Sequence, residues 1–195
     1  MSVSKVDGRQ KRSERSRQQI IDALMTLMRG GNYIPTAQQV ADEANISIRT
    51  VFRHFSEMDL LYVEIDQMLK PSYQRFFEAQ DYNGTLEERV YKVVDARINC
   101  YLDTYYLEKA THALLWRSAP IREIYQANQL LLRKNLMKML PELKKGKAET
   151  RESVDAVTSF EFYERLQMHQ GLSEKTARQL IYNLVLDLVL DLLKD

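Results

Sequence analysis

The chain has 195 residues, of which 45% are hydrophobic, and a formal net charge of +1. This length allows one or two small domains, and the apolar content is ample for a core. The balanced charge excludes a uniformly basic protein, so any contact with nucleic acid must come from a local patch. Only four Pro and six Gly, among many Leu, Glu, Arg and Lys, favour an all-helical chain.

Cellular setting is indicated by cysteine usage and by the lack of a targeting segment. Cys100 is the only cysteine, so no intramolecular disulfide can form and a reduced cytoplasmic setting fits. Residues 1–19 lack the apolar region of a secretory signal. The most apolar stretch, Leu180 to Leu193, is too short to span a bilayer and carries three polar residues. We therefore expect a cytoplasmic protein with no membrane partner.

The N-terminal residues 1–17 are polar and rich in Arg and Lys. For residues 1–8 the favoured interpretation is a solvated tail, and the alternative is a basic arm that touches phosphates or a minor groove. Lys11 and Arg12 are the best candidates for such contacts, because they come just before a helix. That helix is expected from about Ser13 to Arg29, where apolar residues recur at helical spacing.

The segment from Thr36 to Phe55, TAQQVADEANISIRTVFRHF, has the pattern of two short helices joined by a tight turn. Thr36 and Ser47 can cap the two helices with their hydroxyls. Asn45 lies at the turn, and Asn tolerates a left-handed backbone better than other non-glycine residues. The apolar positions within the unit are Val40, Ala41, Ala44, Ile46, Val51 and Phe55. This pattern predicts a helix-turn-helix, whose second helix enters the DNA major groove.

The outward positions of the second short helix form the predicted reading surface. They are Arg49, Thr50, Phe52 and Arg53. Arg49 is the expected base reader, since Arg commonly pairs with guanine, and the alternative is a phosphate contact. Ile48 can pack beside Val51 or meet a thymine methyl, and packing is the favoured role.

Other polar residues of this segment are expected to bind phosphate or pack rather than to catalyse. Thr36 and Ser47 are capping residues whose hydroxyls or backbone N–H groups can also face phosphate. His54 has no accompanying nucleophile or acid. The three histidines fall in separate segments, Cys100 has no neighbour suited to a metal site, and no Gly-rich phosphate loop or elbow-type serine is present. We expect no catalytic residue, no metal and no cofactor.

Beyond the helix-turn-helix, the chain continues as a series of helices. A helix is expected from Met58, and Pro71 would kink or end it. Residues 81–85 form a break in which Thr85 and Glu88 complete a capping box. The further expected elements are helices over about Leu86–Lys109 and Thr111–Ser118, a helix opened by Pro120, a basic loop from Pro141 to Glu149, and helices over about Arg151–Gln170 and Ser173–Leu193.

Aromatic side chains concentrate in the C-terminal half. They fit either an ordinary aromatic core or an apolar pocket with several hydroxyl groups, suited to an apolar or aromatic ligand. The pattern does not separate these alternatives. The candidate pocket residues are Tyr101, Tyr105, His112, Trp116, Tyr125, Phe160 and Tyr163.

The last predicted helix is apolar around most of its circumference. Asn183, Asp187 and Asp191 make one narrow polar stripe. Such a helix must be covered on most sides. It is either a central core helix within one subunit or an interface between two copies, and the interface is the favoured interpretation. The candidate interface residues are Phe162, Leu166, Tyr182, Leu186, Val189, Leu190 and Leu193.

Thr36 to Phe55 resembles the signature of the TetR (tetracycline-repressor) family of bacterial regulators. The matched parts include Val40-Ala41, Ile46-Ser47 and Arg53-His54-Phe55, and the resemblance covers about residues 13–65. It implies a homodimer whose last two helices form the interface, and a ligand pocket in the C-terminal domain. The helix that starts near Met58 would link the two. Ligand binding would change the spacing of the reading helices, so that they no longer match successive major grooves of a near-palindromic operator.

Three positions depart from the family pattern. The family commonly has Gly at Asn45, Tyr at Phe52 and Lys at Met58. Asn45 can hold the same backbone at modest cost, but Phe52 lacks the hydroxyl that reaches a phosphate. At Met58 only the backbone N–H at the helix start could make a phosphate contact. Two missing contacts per subunit predict weaker salt dependence, or compensation by the N-terminal arm.

The sequence therefore predicts an all-α protein in three parts. Residues 1–57 would hold the arm and a three-helix helix-turn-helix DNA-binding domain, 58–80 a connecting helix, and 81–195 a helical dimerisation and effector-binding domain. The expected function is a homodimeric, sequence-specific transcriptional regulator in the bacterial cytoplasm, associated with the nucleoid. A repressor released from double-stranded DNA by a small apolar or aromatic ligand is favoured. The alternative is a helix-turn-helix dimer whose C-terminal domain binds a protein partner without a small-molecule effector.

Overall fold

The computed structural model describes residues 8–78 and 83–194, and the regular structure within these ranges is helical. Residues 1–7 of the predicted arm, residues 79–82 of the predicted connecting helix and turn, and residue 195 lie outside the described residues. The described α-helices are α1 (Gly8–Arg29), α2 (Ala37–Glu43), α3 (Ile48–His54), α4 (Met58–Glu78), α5 (Leu86–Leu114), α6 (Ala119–Met139), α7 (Ala148–Val157), α8 (Phe160–Glu164) and α9 (Glu174–Leu192). A 3-10 turn (Pro141–Lys144) precedes α7, and a π-helical turn (Arg165–His169) follows α8.

The described residues form two compact units, each built from separate parts of the chain. Unit 1 contains the described residues up to Lys70 together with Tyr106–Tyr125, and unit 2 contains Pro71–Tyr105 and the residues from Gln126 onward. Helices α4, α5 and α6 each supply one segment to each unit. The division expected from sequence follows the chain order, whereas these units do not, because a middle segment packs with the N-terminal helices.

The core of unit 1 is organised by the apolar stripe of α1. Ile20, Leu24 and Met28 are fully buried in this core, together with Val40 and Ala41 of α2. Burying a side chain of this size contributes about 1.5–3 kcal/mol relative to leaving it exposed. The middle of the chain completes the core with Leu107, Ala110, Leu114 and Ile121. The helix-turn-helix therefore belongs to a core that the N-terminal helices do not fill alone.

The core of unit 2 lies among α5, α6, α7, α8 and α9. Its fully buried residues include Leu136, Val154, Tyr163 and Val185. Two of the predicted helix starts in this unit are confirmed. Thr85 and Glu88 form the expected capping box, with the Thr85 N–H donating to Glu88 Oε2 at 2.9 Å, and Ser173 Oγ accepts from the Thr176 N–H at 3.2 Å. None of the described helices has the length and apolar character that crossing a membrane requires.

One predicted helix end is wrong, and of the two alternatives at Pro71, a kink or an end, the end is excluded. Helix α5 continues to Leu114, so Lys109–Thr111 does not separate two helices, and the side chain of Ala110 is buried in the core of unit 1. Helix α4 passes through Pro71 and reaches Glu78, because an interior proline removes one backbone donor while the neighbouring hydrogen bonds persist.

The expected single helix over Arg151–Gln170 is also wrong, because the chain breaks at Thr158. Helix α7 ends at Val157, and Ser159 caps α8 by accepting from the Phe162 N–H at 3.2 Å. The Thr158 carbonyl accepts from the Arg97 guanidinium at 3.2 Å and from the Tyr101 hydroxyl at 2.8 Å. Donors from α5 therefore satisfy the carbonyl that the break leaves without a helical partner.

Arg97 is 2% exposed and supports this break through several acceptors, which include Thr158 Oγ1 at 2.8 Å, the Leu132 carbonyl at 3.1 Å and Asp155 at 3.3 Å. Arg97→Ala should lower the free energy of unfolding by about 3–5 kcal/mol, because it leaves buried acceptors without their donor. Denaturant unfolding followed by circular dichroism measures the loss.

The matched control for this prediction is Arg75→Ala. Arg75 pairs with Asp103 at 3.0 Å, but both side chains are largely exposed. An exposed pair of this kind contributes less than about 1 kcal/mol. Equal destabilisation by the two substitutions would contradict the role given to Arg97.

Candidate nucleic-acid interface

The turn between α2 and α3 has the geometry that the sequence predicts. Asn45 has a φ of 54°, in the left-handed region. The Ile46 N–H donates to the Ala41 carbonyl at 3.0 Å, and the Asn45 N–H donates to the Asp42 carbonyl at 3.1 Å. This is the pair of bonds that closes a helix with a left-handed residue after its end. Asn45 thus ends α2 and turns the chain toward α3.

Both helices of the reading unit start at the predicted caps. Thr36 Oγ1 accepts from the Gln39 N–H at 3.2 Å, and Gln39 Oε1 accepts from the Thr36 N–H at 2.8 Å, which completes a capping box. Ser47 Oγ accepts from the Thr50 N–H at 3.3 Å and lies 3.0 Å from Thr50 Oγ1. These bonds fix the first turn of α3 and with it the direction of the following side chains.

Helix α3 separates a buried side from an exposed one. Val51 is fully buried, and Phe55 directly after the helix is 4% exposed. Arg49 and Arg53 are exposed, whereas Thr50 and His54 are half-buried. Phe52 is 48% exposed and Ile48 is 38% exposed, so α3 carries two apolar side chains on its surface, four residues apart. The structure leaves Ile48 on the surface with the predicted readers.

His54 lies beside this surface in an environment that disfavours its charge. Its buried Nε2 atom has no hydrogen-bond partner among the described residues. Burial lowers the pKa of His54 below its usual value, and the nearby positive charges of Arg53 and Arg17 lower it further, while Glu14 acts in the opposite direction. The neutral imidazole is therefore favoured in the folded protein.

The residues of the arm and of α4 that are predicted to contact phosphate are exposed or half-buried. Helix α1 begins at Gly8 rather than near Ser13, so Lys11 and Arg12 lie on its first turns. Both are exposed, and Arg12 Nε donates to the Gly8 carbonyl at 3.1 Å. The segment before Ser13 contains Gln, Lys and Arg, which are good helix formers, and this explains the earlier start. Met58 is half-buried at the start of α4.

Arg17 has a structural role that sequence reasoning missed. Its guanidinium forms a two-pronged ion pair with the Glu64 carboxylate on α4 and lies 5.4 Å from the centre of the Phe55 ring. The residue ties α1 to the end of α3 and to α4. A signal was present in the sequence, because Arg17 precedes Ile21 and Leu24 on the buried stripe of α1, at helical spacing.

The predicted ligand residues are divided between the two units. His112 and Tyr125 lie in unit 1 with ring centres 5.4 Å apart, and Trp116 in the same unit is 79% exposed. The remaining residues belong to unit 2, where Phe160 lies 5.6 Å from Tyr101 and 5.8 Å from Tyr105, and Tyr163 lies 6.4 Å from Tyr101. The rings of unit 2 thus pack against one another as a cluster.

The predicted interface residues differ in accessibility. Leu166 and Val189 are buried in the core of unit 2. Phe162, Tyr182 and Leu186 are half-buried, and Leu190 and Leu193 are 37% and 58% exposed. One side of the last helix carries Tyr182, Leu186 and Leu190 of α9, with Leu193 directly after its end, at helical spacing. This side is apolar and accessible in the single chain.

Comparison with known proteins connects this fold to a ligand-binding protein. No protein-family model matches the chain, and no curated protein matches its sequence. A crystal structure of the multidrug binding protein EbrR complexed with imidazole matches with a TM-score of 0.61 and 18% identity, over 86% of this chain and 88% of that chain. EbrR complexed with ethidium matches with a TM-score of 0.55 and 19% identity, over 87% and 98%.

The predicted fold class is confirmed: the protein is all-α, with a helix-turn-helix unit and a helical C-terminal part, and it shares its fold with EbrR. At this level of identity the similarity concerns the fold. The described residues contain no group of three or more His, Cys, Asp or Glu side chains placed to hold a metal ion.

The lowered pKa of His54 predicts a pH dependence of stability. Unfolding returns His54 to a pKa near its usual value of about 6.5, so the unfolded chain binds more protons than the folded chain as the pH falls. The free energy of unfolding of the wild type should therefore drop relative to His54→Gln between about pH 7 and pH 5. Denaturant titrations of both proteins across this range measure the difference. An opposite slope would contradict the environment described for His54.

Proposed function

We propose that the protein is a homodimeric, sequence-specific DNA-binding transcriptional regulator of the TetR type, acting as a repressor in the bacterial cytoplasm. The exposed side of α3 carries this proposal. Arg49 and Arg53 project there beside the apolar Phe52 and Ile48, on a helix whose start is fixed by the Ser47 cap. Arginine reads guanine in the major groove, and apolar side chains meet thymine methyl groups. Residues 1–57 would read DNA, 58–80 would connect, and 81–195 would dimerise and bind the effector.

The proposal of a homodimer, with a second copy of this chain, rests on the accessible apolar side of α9. Its apolar side contains Leu190 and Leu193, which the single chain leaves exposed, and Tyr182 and Leu186, which it covers in part. A two-fold pair joined along this side would present two α3 helices to successive major grooves of a near-palindromic operator. The half-buried Phe162 would contribute from α8.

The proposal of a small-molecule effector is suggested by the similarity in fold to EbrR. The multidrug binding protein EbrR has been crystallised with imidazole and with ethidium, both of which contain aromatic rings. We propose a small apolar or aromatic molecule as the signal that releases this protein from DNA. The alternative, a protein-interaction module without an effector, is favoured by one observation. Tyr101, Phe160 and Tyr163, all predicted pocket residues, pack together in the core of unit 2.

Arg49→Ala tests the reading surface. The substitution should abolish discrimination at the base that Arg49 contacts, which is worth about 1–3 kcal/mol for a lost guanine contact, and should leave the thermal unfolding temperature near that of the wild type. Selection from a random DNA pool identifies the operator, and gel shifts with matched and mutated operators measure discrimination. Arg75→Ala, at an exposed position in unit 2, serves as the charge-matched control. Unchanged selectivity in Arg49→Ala would remove Arg49 as the base reader.

Leu190→Glu tests the dimer. Placing a charge on the apolar side of α9 should raise the dimer dissociation constant by at least about tenfold, because the carboxylate would be desolvated without a partner. The control is Leu184→Glu, since Leu184 lies on the same helix with similar exposure, 36%, but on a different side. Sedimentation velocity over a range of concentrations measures association. A monomeric wild type, or equal weakening by both substitutions, would argue against this interface.

A further inference from the structure

The exposed side of α3 carries two columns of side chains that differ in chemistry. Ile48 and Phe52, which are 38% and 48% exposed, lie four residues apart and form an apolar column. Arg49 and Arg53 have the same spacing and form a basic column beside it. Residues four positions apart lie on the same face of a helix, one above the other. Helix α3 therefore presents an apolar pair and a charged pair side by side.

The direction of the apolar column is fixed by the packing and capping of α3. Val51, which lies between its two members in the chain, is fully buried. At the start of the helix the Ser47 hydroxyl accepts from the Thr50 N–H at 3.3 Å, and at its end the Phe55 N–H donates to the Val51 carbonyl at 2.9 Å. The helix can turn about its own axis only if Val51 leaves the core. The apolar column therefore points outward before any partner binds.

The chemistry of this surface fits the edge of a thymine in the DNA major groove. Neither side chain of the apolar column can donate or accept a hydrogen bond, so neither can satisfy a phosphate oxygen or a polar base edge. The apolar group that the major groove presents is the C5 methyl of thymine, beside hydrogen-bond donors and acceptors. The guanidinium groups of Arg49 and Arg53 next to the column favour a polyanion as the partner.

The spacing within the apolar column sets the spacing of the methyl groups it can contact. Four residues of an α-helix span roughly 6 Å along the helix axis. Successive bases of one DNA strand are separated by about 3.4 Å along the duplex. The two apolar side chains therefore reach bases about two steps apart when α3 lies along the groove.

We propose that the apolar column of α3 recognises a pair of C5 methyl groups about two base steps apart in each half-site of the operator. The methyl group is read rather than the whole thymine. For this reason 5-methylcytosine, whose methyl group occupies the same place in the major groove, can replace thymine at these positions. The inference rests on the proposed sequence-specific DNA binding, and it specifies the chemical group that the operator supplies beside the guanine contact of Arg49.

Uracil substitution in the operator tests the proposal, because uracil differs from thymine only in lacking the C5 methyl group. Each thymine of the operator selected from a random pool is replaced singly by uracil, and gel shifts at one salt concentration measure the dissociation constant. At two positions in each half-site, uracil should weaken binding by about fourfold per methyl group, the effect expected for one buried carbon of this kind. Cytosine at these positions should also weaken binding, and 5-methylcytosine should recover about fourfold relative to cytosine.

Phe52→Ala and Ile48→Ala assign the methyl contacts to the apolar column. Each variant should bind the thymine operator less tightly and should lose its sensitivity to uracil at one of the two positions, because the side chain that contacts that methyl group is absent. Met68→Ala is the matched control, since Met68 on α4 is 41% exposed and does not belong to the column. It should keep the uracil sensitivity of the wild type.

Loss of uracil sensitivity in both column variants, with wild-type sensitivity in Met68→Ala, would support the proposal. Equal binding of thymine and uracil operators by the wild type, or sensitivity that persists in both column variants, would overturn it. Failure of the proposed function gives a different result. If the wild type binds the selected operator through Arg49 while uracil has no effect, methyl recognition is rejected and the regulator stands. If the wild type retards no DNA, both proposals fail.

Discussion

The guanidinium of Arg17 sets the geometry on which the reading unit depends. It binds both oxygens of Glu64 on α4 and lies over the ring of Phe55, where α3 has just ended. A two-pronged pair fixes orientation as well as distance, so the angle at which the chain leaves α3 and enters α4 is constrained. An exposed row of side chains on a short helix can recognise a groove only if the helix itself is held still. The contacts that hold the end of α3 include those of Arg17, a residue of α1 that does not belong to the row.

Features fixed by neighbouring residues could be read from the sequence. The caps at Thr36 and Ser47 and the left-handed Asn45 depend on a few adjacent atoms, and all three were predicted correctly. The break at Thr158 could not be predicted, because the donors that satisfy its carbonyl are Arg97 and Tyr101. Those residues are about sixty positions away in the chain, and only tertiary packing brings them to the carbonyl.

The same distinction explains what sequence periodicity reveals about the candidate sites. Once Val51 is taken as the buried position of α3, the exposure of Arg49 and Arg53 follows from helical geometry. Helical periodicity does not show whether an apolar side chain is covered by the core of its own unit or left exposed. Leu166 and Val189 are covered by the core of their own unit, while Leu190 and Leu193 remain open.

Pro71 removes one hydrogen bond from the interior of α4. The ring of this proline replaces the N–H that would have reached the Gln67 carbonyl, so one rung of the helical ladder is missing at that level. The division between the two compact units also falls at this residue, between Lys70 and Pro71. The hydrogen-bond ladder of α4 therefore lacks one bond at the residue where the helix passes from one unit to the other.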